Sequence, residues 1–178
     1  MGDRVISFAD VIGDEREFFR RYFNKRIFYR PGGITGDPRQ ILSIAVMVGK
    51  TLIHGGLNLT RPNLRALARS MTDRFAAKSE VVTFLTPAGQ QGAAHSDPTD
   101  VYVVQLEGTK RWQIWPTPEV RRPGDDKQFP SLPDPVFDLS LEPGDVLYIP
   151  YGTPHRAAAE GRLSLHLTVV AGSCDSGP

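Results

Sequence analysis

Two hydrophobic periods divide the chain. Up to about residue 80 the apolar positions recur mostly at helical spacing, and from Val81 they alternate with polar ones as in a sheet. Ser7 stands as a candidate N-cap before Phe8, Val11 and Ile12, and Phe18, Phe19, Tyr22 and Phe23 carry the apolar face onward, which predicts a helical stretch over 7–24. Ile27 to Arg30 reads as a short strand stopped by Pro31-Gly32-Gly33. A helix is expected over 38–48, a strand over 51–59 kinked at Gly55-Gly56, and a helix over 62–75 with Leu64, Leu67, Ala68 and Met71 on its core face. His54, inside the expected 51–59 strand, reads as a structural histidine.

In the second half, Val81 to Leu85 forms a strand, and Val101 to Leu106 forms another that ends in a turn at Glu107-Gly108 and returns through Lys110 to Trp115. Pro116, Pro118, Pro123, Pro130, Pro133 and Pro135 make the following stretch a long surface loop, since proline withholds a backbone donor. Its charges, Arg121 and Arg122 against Asp125 and Asp126, suit a polar contact, so the loop is expected to shape an entrance and to leave the chemistry to the strands. Glu142-Pro143-Gly144-Asp145 has the residues of a type II turn. In the last strand Ser164, His166 and Thr168 share one face and line the barrel. Short strands with Gly and Pro turns, preceded by helices, predict a mainly β fold: a double-stranded β-helix of the jelly-roll type under an α-rich N-terminal cover. One domain is expected, with a lead-in over about 1–80, a barrel over about 81–172 and a tail over 173–178.

Bulk properties narrow the function classes. With 178 residues, the chain is long enough to bury a sizeable core. Lys+Arg 21 against Asp+Glu 20 leaves a formal net charge of +1, so neither nucleic acid nor an anionic membrane is expected as a partner. The one cysteine, Cys174, excludes an internal disulfide framework and fits a reducing compartment. No signal-peptide pattern opens the chain, and no run approaches the roughly 18 apolar residues of a membrane helix. A cytoplasmic protein is expected.

The candidate chemistry centres on His95-Ser96-Asp97. Residues two apart on a strand project from one face, so an imidazole and a carboxylate can meet at one point. His155, after the Val146-Leu147-Tyr148-Ile149 strand, is the candidate third ligand. Two histidines and one carboxylate on one side of an ion leave the opposite positions open, as an iron(II) centre needs to take up a co-substrate and dioxygen.

Several stretches together resemble the JmjC-type cupin oxygenases, and more narrowly the branch that holds the ribosomal protein hydroxylases of bacteria and of the nucleolus. These are Thr86-Pro87-Ala88-Gly89-Gln90-Gln91-Gly92, His95-x-Asp97, Leu106-Glu107-Gly108-Thr109-Lys110-Arg111-Trp112, Leu141-Glu142-Pro143-Gly144-Asp145 and Pro154-His155. The likeness is dense from about Val81 to Thr168. It implies that His95, Asp97 and His155 bind Fe(II), and that Lys110 pairs with the distal carboxylate of 2-oxoglutarate. It further implies that Thr168 makes a second co-substrate contact while His166 forms a pocket wall, with a fourth ligand at His166 as the weaker alternative. The implied reaction is oxidative decarboxylation of 2-oxoglutarate to succinate, coupled to hydroxylation of a C–H bond. Phe84 and Val82 stand where the family often places Tyr and Asn, so some polar contacts to co-substrate or substrate are lost here.

Two other readings stay open. One is a metal-binding cupin with chemistry independent of 2-oxoglutarate, an isomerase or another dioxygenase; such proteins usually carry three histidines, which Asp97 argues against. The other is a catalytically silent JmjC-like binding module, which typically lacks a ligand or the cation. The expected substrate is a peptide or protein side chain ahead of an amino-acid-like small molecule. The branch usually extends past the barrel into helical dimerisation and winged-helix segments, and this chain reaches Pro178 soon after its last strand; a homodimer is allowed for.

Overall fold

The computed structural model describes residues 5–35, 37, 51–120 and 127–171. The helix expected over 38–48, the charges of Arg121, Arg122, Asp125 and Asp126, and Cys174 lie outside the described residues. The elements are α1 (Phe8–Ile12), α2 (Glu15–Arg21), β1 (Phe28–Arg30), β2 (Leu52–His54), α3 (Leu57–Thr60), α4 (Pro62–Phe75), β3 (Ser79–Thr86), β4 (His95–Ser96), β5 (Asp100–Ile114), β6 (Lys127–Gln128), β7 (Phe137–Leu141), β8 (Val146–Ile149) and β9 (His155–Ala171). The architecture is the mainly β, antiparallel double-stranded β-helix with a small helical N-terminal part. No helix among the described residues is long and apolar enough to cross a membrane.

The helical stretch expected over 7–24 divides in two. Ser7 caps α1 in a capping box with Asp10. Gly13, at φ 78, then breaks the helix, and the Asp14 side chain accepts from Glu17 N to start α2. The expected 51–59 strand is similarly cut short: after His54 the left-handed Gly56 starts α3. Phe8, Phe18, Leu64, Leu67 and Met71 close over one face of the sheet, where Tyr102, Val104, Leu106, Tyr148, Leu165 and Leu167 meet them in one buried cluster.

The expected hairpin at Gly108 is not formed. β5 runs unbroken through it, and β9 lies antiparallel along it from Asp100↔Ala171 to Ile114↔His155. Register shifts fall between Gln105 and Glu107 and between Glu107 and Thr109, so the Gly108 position is a bulge. The consequence is a change of parity. Before the bulge the odd residues Val101 and Val103 face the inner core while Tyr102, Val104 and Leu106 face the helices; after it the even residues Trp112 and Ile114 face inward. β9 changes parity in the same region. Bent there, β5 pairs with β8 before the bulge and β7 after it, while β9 pairs with β3 at its far end and with β4 at His155. The Glu142–Asp145 turn forms as expected, with Asp145 N bonded to Glu142 O at 2.9 Å and Gly144 at φ 97, but it connects β7 and β8 as separate partners of β5.

Gly108 is required twice over, by φ 66 and because a Cβ there would run into the Leu163 carbonyl. Gly161 has a similar φ of 65 with nothing within 4 Å. Gly108→Ala should therefore cost on the order of 3 kcal/mol and Gly161→Ala about 1 kcal/mol in urea unfolding. Equal losses would show that the approach of Leu163 does not constrain the bulge.

Candidate active site

β4 and β9 meet at a single pair, His95↔His155, which sets the two imidazoles side by side with ring centroids 4.5 Å apart. Asp97 lies just beyond β4, and its carbonyl accepts from Gly152 N at 2.8 Å, so the carboxylate turns back between the rings. Asp97 Oδ1 is 3.7 Å from His95 Nε2, and Oδ2 is 3.4 Å from His155 Nε2. One donor atom from each of the three residues lies within 4.8 Å of the others. His166 stands outside this group.

Both histidines use the same device. His95 Nδ1 bonds the Ala93 carbonyl at 3.0 Å and His155 Nδ1 bonds the Thr153 carbonyl at 2.9 Å. A carbonyl only accepts, so each Nδ1 holds a proton and Nε2 is the ring nitrogen turned toward Asp97. Burial pushes the Asp97 carboxyl up, but its hydrogen bond to His155 and the charges of both rings outweigh this and hold it below the ordinary carboxylate range. A divalent ion bound here would displace any Nε2 protons and take two imidazole nitrogens and an ionised carboxylate as ligands.

The three residues stand at one end of a cavity of about 320 Å³. Lys110 and Thr168, both expected in the co-substrate site, line it, as do Phe84, Thr86, Trp112 and His166. Lys110 is 4 % exposed and its Nζ donates to Thr86 Oγ1 at 2.9 Å. No carboxylate pairs with it among the described residues, and burial lowers its pKa from the ordinary 10.5 to about 8. An ammonium held this way, with a hydroxyl beside it and open space ahead, is a receptor for an anion. His166 stacks on Phe84 at 4.8 Å and 7°, and burial, followed by the Lys110 charge, pushes its imidazole well below the ordinary value, so it is a neutral wall. His54 is not among the residues that line the cavity.

Thr86 was missed in the sequence. The period-2 face that carries Val82 and Phe84 includes it, but the expected strand stopped at Leu85, one residue short. The loop after Trp115 also comes closer than expected: Gln128 pairs with His95, and Phe129 N donates to Ala94 O at 2.9 Å. β4 is thus held between β9 and the loop's own strand β6, so the loop braces one of the three donors.

A family model described as the JmjC domain matches residues 59–175. The chain belongs to the JmjC domain family. The JmjC region is 37% identical over 115 residues to the bifunctional lysine-specific demethylase and histidyl-hydroxylase NO66 of Drosophila mojavensis, which covers 61% of this chain and 13% of that protein. It is 41% identical over 90 residues to ribosomal oxygenase 2 of Rattus norvegicus, 48% of this chain and 19% of that one. The chain thus spans less than a fifth of the length of either curated relative. Among solved structures, the ribosomal oxygenase YcfD of Escherichia coli in complex with cobalt and 2-oxoglutarate shares the fold, with a TM-score of 0.72 and 18% identity over 92% of this chain and 52% of that one.

The buried Lys110 makes a prediction about JmjC-domain stability. Below pH 8 native and unfolded chains both carry its proton and the burial cost is complete; between about 8 and the ordinary 10.5 the native state binds fewer protons, so stability rises with pH. Lys110→Met should stabilise the protein at pH 7 by on the order of 2 kcal/mol and flatten that rise. Urea unfolding of both proteins at pH 7 and pH 10 checks it, and an unstabilised variant at pH 7 would mean that Lys110 is solvated.

Proposed function

We propose that the protein is an Fe(II)- and 2-oxoglutarate-dependent hydroxylase that acts on a C–H bond of a protein side chain. One observation carries the reading: a buried lysine with no acidic partner among the described residues shares a cavity with a two-histidine, one-aspartate cluster. In the cluster alone, several metal chemistries would be at home. Lys110 adds a fixed place for a carboxylate at a distance from the metal, which a cupin that works without a 2-oxo acid has no use for. A silent binding module would lack part of the set, and here the set is complete.

The donor chemistry fits the metal. His95 Nε2, His155 Nε2 and an Asp97 oxygen form a mixed nitrogen and oxygen set on one side, the pattern of iron(II) oxygenases. When bound, iron(II) and 2-oxoglutarate would supply dioxygen-dependent hydroxylation, in which one oxygen atom of dioxygen ends in the new hydroxyl group and the other in succinate, with release of carbon dioxide. The chain's own residues bind and orient. Ala93 O and Thr153 O fix the tautomers of the two histidines, so both reach the metal with the same nitrogen. Lys110, with Thr86 Oγ1 beside it, receives the distal carboxylate of 2-oxoglutarate; Thr168 borders the same space. Phe84, Trp112 and His166 would form an apolar wall against a bound co-substrate, and neutral His166 would not compete with Lys110 for the anion. No protein general base is needed, because the chemistry removes a hydrogen atom and not a proton.

A protein substrate is supported by the names of the relatives, a histidyl-hydroxylase and a ribosomal oxygenase, and by the fold shared with a ribosomal oxygenase. The formal net charge of +1 gives no reason to add nucleic acid as a partner.

Two measurements test the reading. His155→Ala should cut iron binding by two orders of magnitude or more, as removal of one of three ligands leaves a bidentate site, while the circular dichroism of the sheet is retained. Undiminished iron binding would mean that the third ligand has been misnamed. For the co-substrate, Lys110→Ala should weaken 2-oxoglutarate binding by about 1.5–3 kcal/mol and Thr86→Val by about 1 kcal/mol, with metal content unchanged. Calorimetric titration reads both, and wild-type affinity in Lys110→Ala would remove the lysine from the site. Iron-dependent succinate formation from 2-oxoglutarate by the unmodified protein is the accompanying activity check.

A further inference from the structure

Alternation along two strands creates a second recess behind the first. His155 and Trp112 face the metal-side cavity, whereas their neighbours Arg156 and Gln113 face the other way, into a recess of about 220 Å³ under the proline-rich loop. Ala94, next to His95, lies at its floor, and Phe129, Pro130, Leu132, Pro133 and Pro135 supply apolar walls.

Arg156 has neutral direct partners among the described residues, while the Asp138 charge acts on it from farther off. Its Nε donates to Gln113 Oε1 at 2.6 Å, and its guanidinium carbon sits 5.6 Å above the centre of the Trp115 ring. Trp115 is itself pinned, with Nε1 donating to the Pro133 carbonyl at 2.6 Å. Gln113 is fixed from behind because its Nε2 donates to Asp138 Oδ2 at 3.0 Å, and the two Asp138 oxygens already accept a bidentate pair from Arg111. The nearby acid is therefore committed to another arginine. The two terminal nitrogens of Arg156 have no hydrogen-bond partner among the described residues, and they remain as a planar, pre-oriented pair of donors.

We propose that this recess is a second anion site, in which Arg156 receives the carboxylate of a glutamate or aspartate side chain from the polypeptide substrate. A planar guanidinium with free terminal nitrogens matches a carboxylate in a two-point contact. The walls of proline, leucine and phenylalanine match the methylenes of a glutamate stem. Asp134 also lines the recess without an ion pair to Arg156, and it repels a ligand that carries a second negative charge. A singly charged acidic side chain thus fits, and a free dicarboxylate such as 2-oxoglutarate does not. The recess lies on the opposite face of the strands that carry His95 and His155, so an acidic residue seated there would anchor a polypeptide against those strands. This inference deepens the proposed function by giving the substrate an acidic residue, and it rests on that reading for its role, though not for the binding itself.

The chain has two tryptophans, one per site, Trp112 in the metal-side cavity and Trp115 in the recess, so two indole N–H resonances report the sites separately. The probes are N-acetylglutamate N-methylamide with one carboxylate, its glutamine isostere with none, and succinate with two. The glutamate probe should move the Trp115 signal saturably. The glutamine probe should bind about tenfold more weakly or not at all, and Arg156→Gln should abolish the response. Arg156→Lys, with the charge but not the fork, should restore it only in part. In Arg156→Gln, an unchanged Trp112 response to 2-oxoglutarate with iron(II) replaced by zinc serves as the control that the fold is intact. A Trp115 signal that ignores the glutamate probe, or follows the glutamine probe equally, overturns the site. Succinate that moves Trp115 as strongly as the glutamate probe overturns the side-chain assignment in favour of a free diacid. If 2-oxoglutarate leaves Trp112 unmoved in the unmodified protein, the proposed function fails while the Arg156 site is judged on its own arms.

Discussion

The pairing of β5 with β9 is the constraint on which the other parts depend. Each strand is shared between two sheet partners, one on each side of the bulge, and this bends the pair into the core of the double-stranded β-helix. Side-chain period in a strand is two, so an uninterrupted β5 would put Lys110 and Trp112 on the same face as Tyr102 and Val104, under the helices. The register shifts around Gly108 reverse that parity. Lys110 and Trp112 then join Val101 on the cavity side, and the same change in β9 lets His155, His166 and Thr168 share one space. A glycine with a positive φ is thus a functional requirement as much as a structural one.

The cavity that results opposes two kinds of electrostatics at short range. At one end, two imidazoles with fixed tautomers converge on an ionised carboxylate and offer electron pairs to a cation. On another part of its wall, a buried ammonium has the Thr86 hydroxyl as its hydrogen-bond partner among the described residues. Neither part is self-sufficient. The lysine is destabilising to the folded chain when nothing is bound, since burial without an acidic partner costs free energy that solvent would otherwise supply. A fold retains such a group where a ligand provides the missing charge, and a cation site and an anion site in one cavity match a chelating 2-oxo acid with a distal carboxylate.

Rigidity is supplied by neutral contacts around these charges. Backbone carbonyls hold the histidines, an aromatic stack of Phe84 and His166 forms the wall, and β6 braces β4 from the loop side. The loop therefore does more than border an entrance. It holds one donor residue of the centre in register and roofs the recess that contains Arg156, so the two sides of the sheet are linked through a strand of two residues.

The sequence by itself determined the change from helical to sheet period, the 62–75 helix and the Glu142–Asp145 turn, because each rests on local signals, spacing and turn residues. It also offered as candidates His95, Asp97 and His155, which the tertiary structure brings within reach of one point, and Lys110, this last only through the resemblance of its surrounding motif. It misread Gly108 as the end of a strand, since a turn and a bulge both call for a glycine with positive φ, and only the partner strand decides between them. It ran α1 and α2 together because a capping residue, Asp14, lies inside an apolar period that continues across the break. Thr86 as the partner of Lys110, the brace of β6 on His95, and the recess at Arg156 were decided by tertiary structure alone. Each is a contact between residues far apart in the chain, set by strand register and by which face a bulge presents, and neither leaves a trace in local composition.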